Sequence, residues 1–378
     1  MTESKIKLEI FNWAKEKESV NSVTRQLQDS CQNLYRFDRS EIGIRNDIFK
    51  SQESFNCYSC SRSITYSHPV YVYVCMKCGN RFQKYRHLDA DLSGRVILVI
   101  GARTKLGHQI VVKLLDAGAT VIGTTRYPNK ALNLYQDYTE KWETWSKRLH
   151  FFPDSFDLDT NNLDSLFSSL SSFITDTLNI PLTDMVFNAA QTIRCREKNT
   201  YKINENDEKN RYGDSKFVPE NMENSWNLKI EEISQQELEE VHRINAIAPF
   251  LLVKHMMPLL QKNEQFIPNI IHVHAKEGVF DTNKGNIHIH TNMAKASLHM
   301  FTKCLHDCKY KTLAGKNISI YGIDPGWISV DEYYKNNKPW IVPPLDEVDG
   351  AARILFPLFW KNIHGSGKTR RHFKTFTY

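Results

Sequence analysis

From Val96 onward, short apolar runs alternate with longer stretches in which apolar residues recur every three to four positions. The runs are Val96 to Ile100, Ala119 to Gly123, His150 to Phe152, Asp184 to Asn188, Asn269 to His274 and Ile318 to Ile323. Strands covered on both faces read as near-continuous apolar runs, so these segments predict a parallel sheet. Leu106 to Ala117, Asn162 to Leu178, Gln235 to Gln261 and Thr291 to Thr312 predict helices. Strand and helix in alternation give an α/β fold, a Rossmann-type doubly wound parallel sheet with helices on both faces.

Two regions break the rhythm. Residues 1–55 form a polar, partly helical extension, with Ile6, Leu8, Ile10, Phe11 and Trp13 too loosely spaced for an amphipathic helix. Residues 192–233 are polar, rich in Asn and Glu, and too long for a strand-to-helix loop. They predict an excursion above the carboxyl edge of the sheet, where ligands of open α/β sheets bind; it is either a covering lid or a solvated insertion.

Composition narrows the class. With 41% hydrophobic, 11% aromatic and 24% charged residues the chain reads as globular and able to bury a core. Of the formal charge of +6, residues 361–378 supply Lys361, Lys368, Arg370, Arg371 and Lys374 with no acid. The basic excess is therefore a tail rather than a face, which argues against nucleic acid as a partner; Phe373, Phe376 and Tyr378 among those cations leave a nucleic-acid arm as the minor alternative. The first residues carry no apolar run of signal-peptide length, and no 18-residue apolar stretch follows. A cytoplasmic protein without membrane contact is the expectation.

Cysteine usage fits a reducing compartment. Of eight cysteines, Cys57, Cys60, Cys75 and Cys78 form a Cys-x2-Cys, fourteen residues, Cys-x2-Cys set. Two hairpin knuckles of this kind place four thiolates tetrahedrally, as structural zinc requires, and a coordination sphere filled by four cysteines leaves no open catalytic position. ITYSHPVYVYV between the pairs alternates like a strand, so residues 56–90 predict a zinc-ribbon-like module. It is either a clip that folds a small segment or a docking surface. Cys304 and Cys308, one helical turn apart, read as half-buried helix residues, and His68 as a surface or turn residue.

VILVIGARTKLGHQIVVKLLDAGATVIGTTRYP, residues 96–128, is strand, glycine turn, helix and strand. Gly101 permits the sharp turn, Gly107 permits close helix packing, and the helix start offers N–H groups to a pyrophosphate. Residues 94–378 resemble a short-chain dehydrogenase/reductase. The family's Thr-Gly-x3-Gly-x-Gly turn corresponds to Ile100 through Gly107, with Arg103 and Leu106 inside it and Lys105 at the middle glycine. Its adenine-side Asp corresponds to Asp157, its Asn-Asn-Ala-Gly strand end to Phe187, Asn188, Ala189 and Ala190, its helix asparagine to Asn245, its lysine to Lys295, and its Pro-Gly turn to Pro325 and Gly326. GARTKLG, FNAAQT, HTNMAKASL, IDPGW and PPLDEVDGAAR also resemble a narrower branch of uncharacterised short-chain oxidoreductases. Members of that branch often carry a cysteine-paired segment upstream and a lysine in the glycine turn.

The resemblance implies a nicotinamide dinucleotide. Thr125 stands at the end of the second strand, where NAD-preferring sites place an acid, and Arg126 follows it. A cation without an acid points to a 2′-phosphate and so to NADP(H), with Arg103 and Lys105 as further phosphate partners; NAD(H) and no dinucleotide are the alternatives. The resemblance also implies a proton-donating tyrosine four residues before the lysine and a serine at the end of the fifth strand. Here those positions hold Thr291 and Ala275. A threonine hydroxyl titrates far too high for general acid work. His274 beside Ala275 is the expected substitute, its imidazole titrating in the useful range, while His290 points elsewhere around the helix. Two functions stay open: hydride transfer to or from a carbonyl or alcohol-like small molecule, with His274, Lys295, Asn245 and Thr291 at the site, or a catalytically weakened dinucleotide-binding scaffold that acts through a partner. The resemblance further implies a homo-oligomer built on the helix of residues 291–312.

Overall fold

The computed structural model of the chain describes residues 49–71, 73–191, 225–280, 282, 284–328, 343–360 and 366–376. The expected polar extension up to residue 48 and the insertion up to residue 224 lie outside them. The main sheet has eight strands: β3 (Val96–Ile100), β4 (Thr120–Thr124), β5 (Leu149–Phe151), β6 (Asp184–Phe187), β7 (Asn269–Val273), β8 (Ser319–Asp324), β9 (Thr369–Arg371) and β10 (Lys374–Phe376). Their spatial order is β10-β9-β8-β7-β6-β3-β4-β5, parallel throughout except for β10. The chain leaves β3 toward β4 and β5, then returns to the other side of β3 with β6. That reversal opens a crevice at the carboxyl ends of β3 and β6, the position where such sheets take ligands.

Period-two alternation sends each strand's side chains into two cores. Val96, Leu98 and Ile100 of β3 enter one cluster with Met185 and Phe187 of β6. Ile97 and Val99 enter the opposite one with Val186. The first cluster is closed by the helix Leu163–Ser172 and by Ala248–Gln261, which a π turn at Arg243–Ile247 joins to Gln235–His242 in one continuous rod. The second is closed by Lys105–Asp116 and Glu347–Ile354. Two short helices not expected from the pattern, Pro128–Gln136 and Thr139–Trp145, follow β4. The helix carrying Lys295 runs from Ile289 to Asp307. The tail completes the sheet as β9 and β10 and buries Phe373, so its cations flank a strand pair.

Asp184 locks the start of β6. Its buried carboxylate accepts from Arg95, Thr183 and both the backbone and side-chain nitrogens of Asn269, at 2.6–3.0 Å. A buried charge is tolerable when it is paired and hydrogen-bonded in this way.

The cysteine module departs from a ribbon. β1 (Phe49–Asn56) and β2 (Ser63–Ser67) pair antiparallel around the first knuckle, so the module begins before residue 56. The strand stops at Ser67, ahead of Pro69, and the second pair of cysteines opens a helix, Met76–Arg86. Gly79 lies within that helix, and a Cβ there would come within 2.2 Å of the His68 ring. His68 is buried, not at the surface: Nδ1 accepts from Val70 N–H, which leaves Nε2–H to donate to Asn80. The module shares its core with the C-terminal part of the chain through Leu345, Ala352, Phe356 and Phe373. Buried Arg86 reaches Asp346 at 2.6 Å and Asp349 at 3.1 Å, the two acids that cap the helix Glu347–Ile354.

Candidate cofactor and active site

The glycine turn after β3 is built as a cradle. Gly101 adopts φ +83°, and a Cβ on it would lie 3.0 Å from Ala189. A Cβ on Gly107 would fall 1.8 Å from the Gly101 carbonyl, to which Asn188 also donates from Nδ2 at 3.0 Å. Backbone alone fits where these two chain segments meet. Lys105, at the place of the middle glycine, takes φ +51°. The left-handed geometry of the turn is thus retained with a side chain attached, at a cost of about 1–2 kcal/mol. Leu106 packs on Gly350, tying the turn to the helix Glu347–Ile354.

At the end of β4, Thr125 is buried and its hydroxyl accepts from Tyr127 N–H. The guanidinium groups of Arg103 and Arg126 lie 5.1 and 5.6 Å from the Tyr127 ring centre, so two cations from separate loops lie near one aromatic ring. Asp157 follows β5 in a loop that donates Phe156 N–H to the Thr125 carbonyl, and its carboxylate accepts from Asp159 N–H. Asn188 and Ala189 both donate backbone N–H to the Ile100 carbonyl, at 3.1 and 2.9 Å. Glycine turn, Asp157 loop, Arg126 and Asn188 therefore share the carboxyl edge at the strand reversal.

Asn245 sits in the π turn, buried, with Oδ1 accepting from Gln191 N–H and Nδ2 donating to the Gln191 carbonyl. The extra residue of a π turn redirects a side chain out of the helical ladder, and such turns recur at functional sites. Gln191 in turn donates its side-chain amide to Glu240 at 2.7 Å. Lys295 is buried and donates to the Val273 carbonyl at 3.2 Å. Burial lowers its pKa to about 8, against the opposing pull of Glu277 and Asp324. One turn earlier, Thr291 is buried and its hydroxyl has no hydrogen-bond partner among the described residues.

His274 does not meet the role expected of it. Strand alternation turns His272 and His274 to the same side, into the helix Ile289–Asp307. There His274 Nε2 lies 2.8 Å from the Thr302 hydroxyl and Nδ1 lies 3.1 Å from that of Thr369. Its ring stacks on His299 at 3.9 Å and rests against Gly322. Burial holds its pKa well below the ordinary value, with His299, His272 and Lys295 adding to the effect. Both of its ring nitrogens are thus engaged on the face of the strand that meets the helix Ile289–Asp307. His290 points at Glu237, with Nε2 3.9 Å from the carboxylate. His299 donates from Nε2 to the Ala275 carbonyl at 3.1 Å. The pattern His-x-His at 272–274 was the signal that both rings share one face.

The Pro325–Gly326 turn follows β8 with Gly326 at φ +88° and its N–H held by Asp324. The residue sequence reasoning missed here is Tyr58, whose hydroxyl accepts from Trp327 N–H at 2.6 Å.

The four thiol sulfurs of Cys57, Cys60, Cys75 and Cys78 lie within 4.8 Å of one another. A tetrahedral zinc centre with four sulfur ligands needs sulfur separations of about 3.8 Å, and Cys60 and Cys75 are 3.9 Å apart. Cys75 N–H points at Cys57 Sγ and Arg81 at Cys78 Sγ, donors that stabilise thiolates. The donor set fits structural zinc. Cys304 and Cys308 are exposed rather than half-buried. No helix among the described residues is long and apolar enough to cross a membrane.

No protein-family sequence profile matches the chain. Its fold matches a short-chain dehydrogenase from Shigella flexneri at TM-score 0.55 and 19% identity, over 75% of this chain and 94% of that one. The carbonyl reductase Sniffer of D. melanogaster matches at 0.52 and 19%, over 75% and 98%. A further Shigella flexneri 2a protein of this kind, in complex with NADP, matches at 0.50 and 20%, over 72% and 91%. In sequence, the chain is 35% identical over 346 positions to the uncharacterised protein R665 of Acanthamoeba polyphaga mimivirus, covering 81% of this chain and 71% of that protein. The chain belongs to the family of that viral protein, and it is built on the fold of the short-chain dehydrogenases.

Proposed function

We propose that the protein is an NADP(H)-dependent oxidoreductase acting on a small carbonyl or alcohol-like substrate. The observation that supports the reading is that Gly101, Gly107 and Asn188 meet in a turn where Cβ atoms would collide with backbone, while Asn245, bonded to Gln191, and Lys295, bonded to the Val273 carbonyl, lie along the same carboxyl edge. A bound nicotinamide would supply or accept the hydride. Arg103 and Arg126 beside Tyr127 hold the 2′-phosphate, and Asp157 marks the adenine side. The similar Shigella protein in complex with NADP supports the same class of cofactor.

With Thr291 and Ala275 at the tyrosine and serine positions, the proton falls to Lys295. Its amine is buried beside the end of β7, and a group titrating near pH 8 works close to neutral pH. Thr291 offers its hydroxyl, unpartnered among the described residues, to a substrate oxygen or water. The absence of tyrosine and the enclosure of His274 also favour a second reading, a dinucleotide-binding scaffold without turnover. In either case Met293 and Met300 on one helix and Ile247 and Phe250 on its neighbour expose apolar surface, which supports a homo-oligomer.

The test is NADPH binding followed by a screen of NADPH consumption with aldehydes, ketones, quinones and imines. Turnover that Lys295→Met abolishes, with a pH profile breaking near 8, supports the enzyme; binding without turnover supports the scaffold. Arg126→Ala weakens NADPH binding far more than NADH binding, and equal losses overturn the 2′-phosphate assignment.

A further inference from the structure

The cysteine module reaches the sheet's carboxyl edge at the turn after β8. Tyr58 lies in the knuckle between Cys57 and Cys60, and its hydroxyl accepts from Trp327 N–H across 269 positions of sequence. A Cβ on Gly326 would lie 3.0 Å from the same hydroxyl, so the tyrosine and the left-handed glycine are fitted to each other. On the other side of the turn, Asp324 accepts from Gly326 N–H at 2.8 Å and pairs with Arg371 at 3.2 Å. Arg371 also lies 5.8 Å from the Tyr58 ring centre, and His372 meets that ring edge-on at 4.7 Å. Tyr58 N–H donates to the Tyr73 carbonyl at 2.7 Å, which links the two halves of the cysteine site.

We propose that Tyr58 is a positioning residue through which the cysteine module sets the Pro325–Gly326–Trp327 turn, so that metal occupancy controls the geometry of the neighbouring dinucleotide site. Tyr58 follows a metal ligand directly in the chain. A knuckle closed by four sulfur–metal bonds fixes its backbone, and the hydroxyl transmits that placement to Trp327 N–H. A module serving as a clip alone has no need of this contact. The consequence for the cofactor rests on the dinucleotide reading; the mechanical link does not.

The experiment is amide hydrogen exchange on the full chain, wild type and Tyr58→Phe, each zinc-loaded and after chelation, with NADPH titration alongside. In zinc-loaded Tyr58→Phe the Trp327 amide is expected to exchange about five-fold faster, the loss of one ordinary hydrogen bond, while zinc stoichiometry and exchange in β3 are unchanged. Chelation of wild type is expected to produce at least the same acceleration at Trp327, and to add little at Trp327 in Tyr58→Phe. An unchanged Trp327 amide in either comparison overturns the proposal. NADPH affinity is expected to fall with the same pattern. If wild type binds no NADPH the dinucleotide reading fails, while the exchange data still decide the link.

Discussion

Acidification tests the buried histidines directly. His272 is fully enclosed, with Nδ1 on the Thr302 hydroxyl, and burial lowers its pKa to about 3. His299, against the Ala275 carbonyl, is lowered to about 4 by the same cause. Both are ordinary histidines in the unfolded chain, with a pKa of about 6.5. Below that value the unfolded state takes up protons that the folded state refuses, so stability is intact above pH 6.5 and declines as pH falls toward 4. At pH 5 the unfolded state gains about 1.5 pH units of protonation free energy per group, about 2 kcal/mol each and about 4 kcal/mol for the pair. That is a large share of the roughly 5–15 kcal/mol that holds a typical protein folded. The assay is urea unfolding at pH 7 and pH 5 for wild type and for His272→Asn/His299→Gln, which keep a side-chain donor and cannot titrate. Carboxylates act equally in both proteins, so the difference isolates the histidines. The variant is expected to lose about 4 kcal/mol less than wild type between the two pH values; equal losses would refute the reasoning.

Three further outcomes follow from the same geometry. Lys105→Gly relieves a left-handed side-chain conformation and, after the extra flexibility of glycine is subtracted, raises stability by up to about 1 kcal/mol in thermal melts; a loss of stability there would mean that the lysine side chain is held by contacts stronger than the strain. Asp184→Ala strips four donors of their acceptor and leaves Arg95 unpaired, costing about 3–5 kcal/mol in urea unfolding with the glycine turn untouched. Purified protein is expected to carry one zinc per chain, measured by elemental analysis, and Cys78→Ala to release it with loss of the fold of the helix Met76–Arg86.

Much of the sheet was legible because β3, β6, β7 and β8 are buried on both faces and carry mostly apolar runs, a pattern that a double-covered strand needs. The glycine turn was legible for a related reason: Gly101 and Gly107 occupy points where backbone meets backbone, and no other residue fits. What escaped was orientation. The position of His274 beside Ala275 suggested the crevice, but the strand's alternation sends it with His272 into Thr302 and the helix. The π turn at Asn245 left no periodic trace, since one extra residue only shifts the apolar phase of a long rod. The helix Met76–Arg86 was hidden by polar residues, because its buried face is small, Cys78, Gly79, Phe82 and Arg86, and is completed by partners far along the chain. Tyr58 could not be found from sequence at all: its contact is made across 269 positions.

The shared core of the module also orders events during synthesis. Phe82 and Tyr71 leave the ribosome early, yet Leu345, Phe356 and Phe373, which close over them, follow roughly 270–300 residues later. At about 5–20 residues per second, the cysteine segment waits on the order of 15–60 s with its apolar side uncovered. During that interval only contacts within the segment itself, the β1–β2 pairing and the four clustered thiols among them, can give it shape.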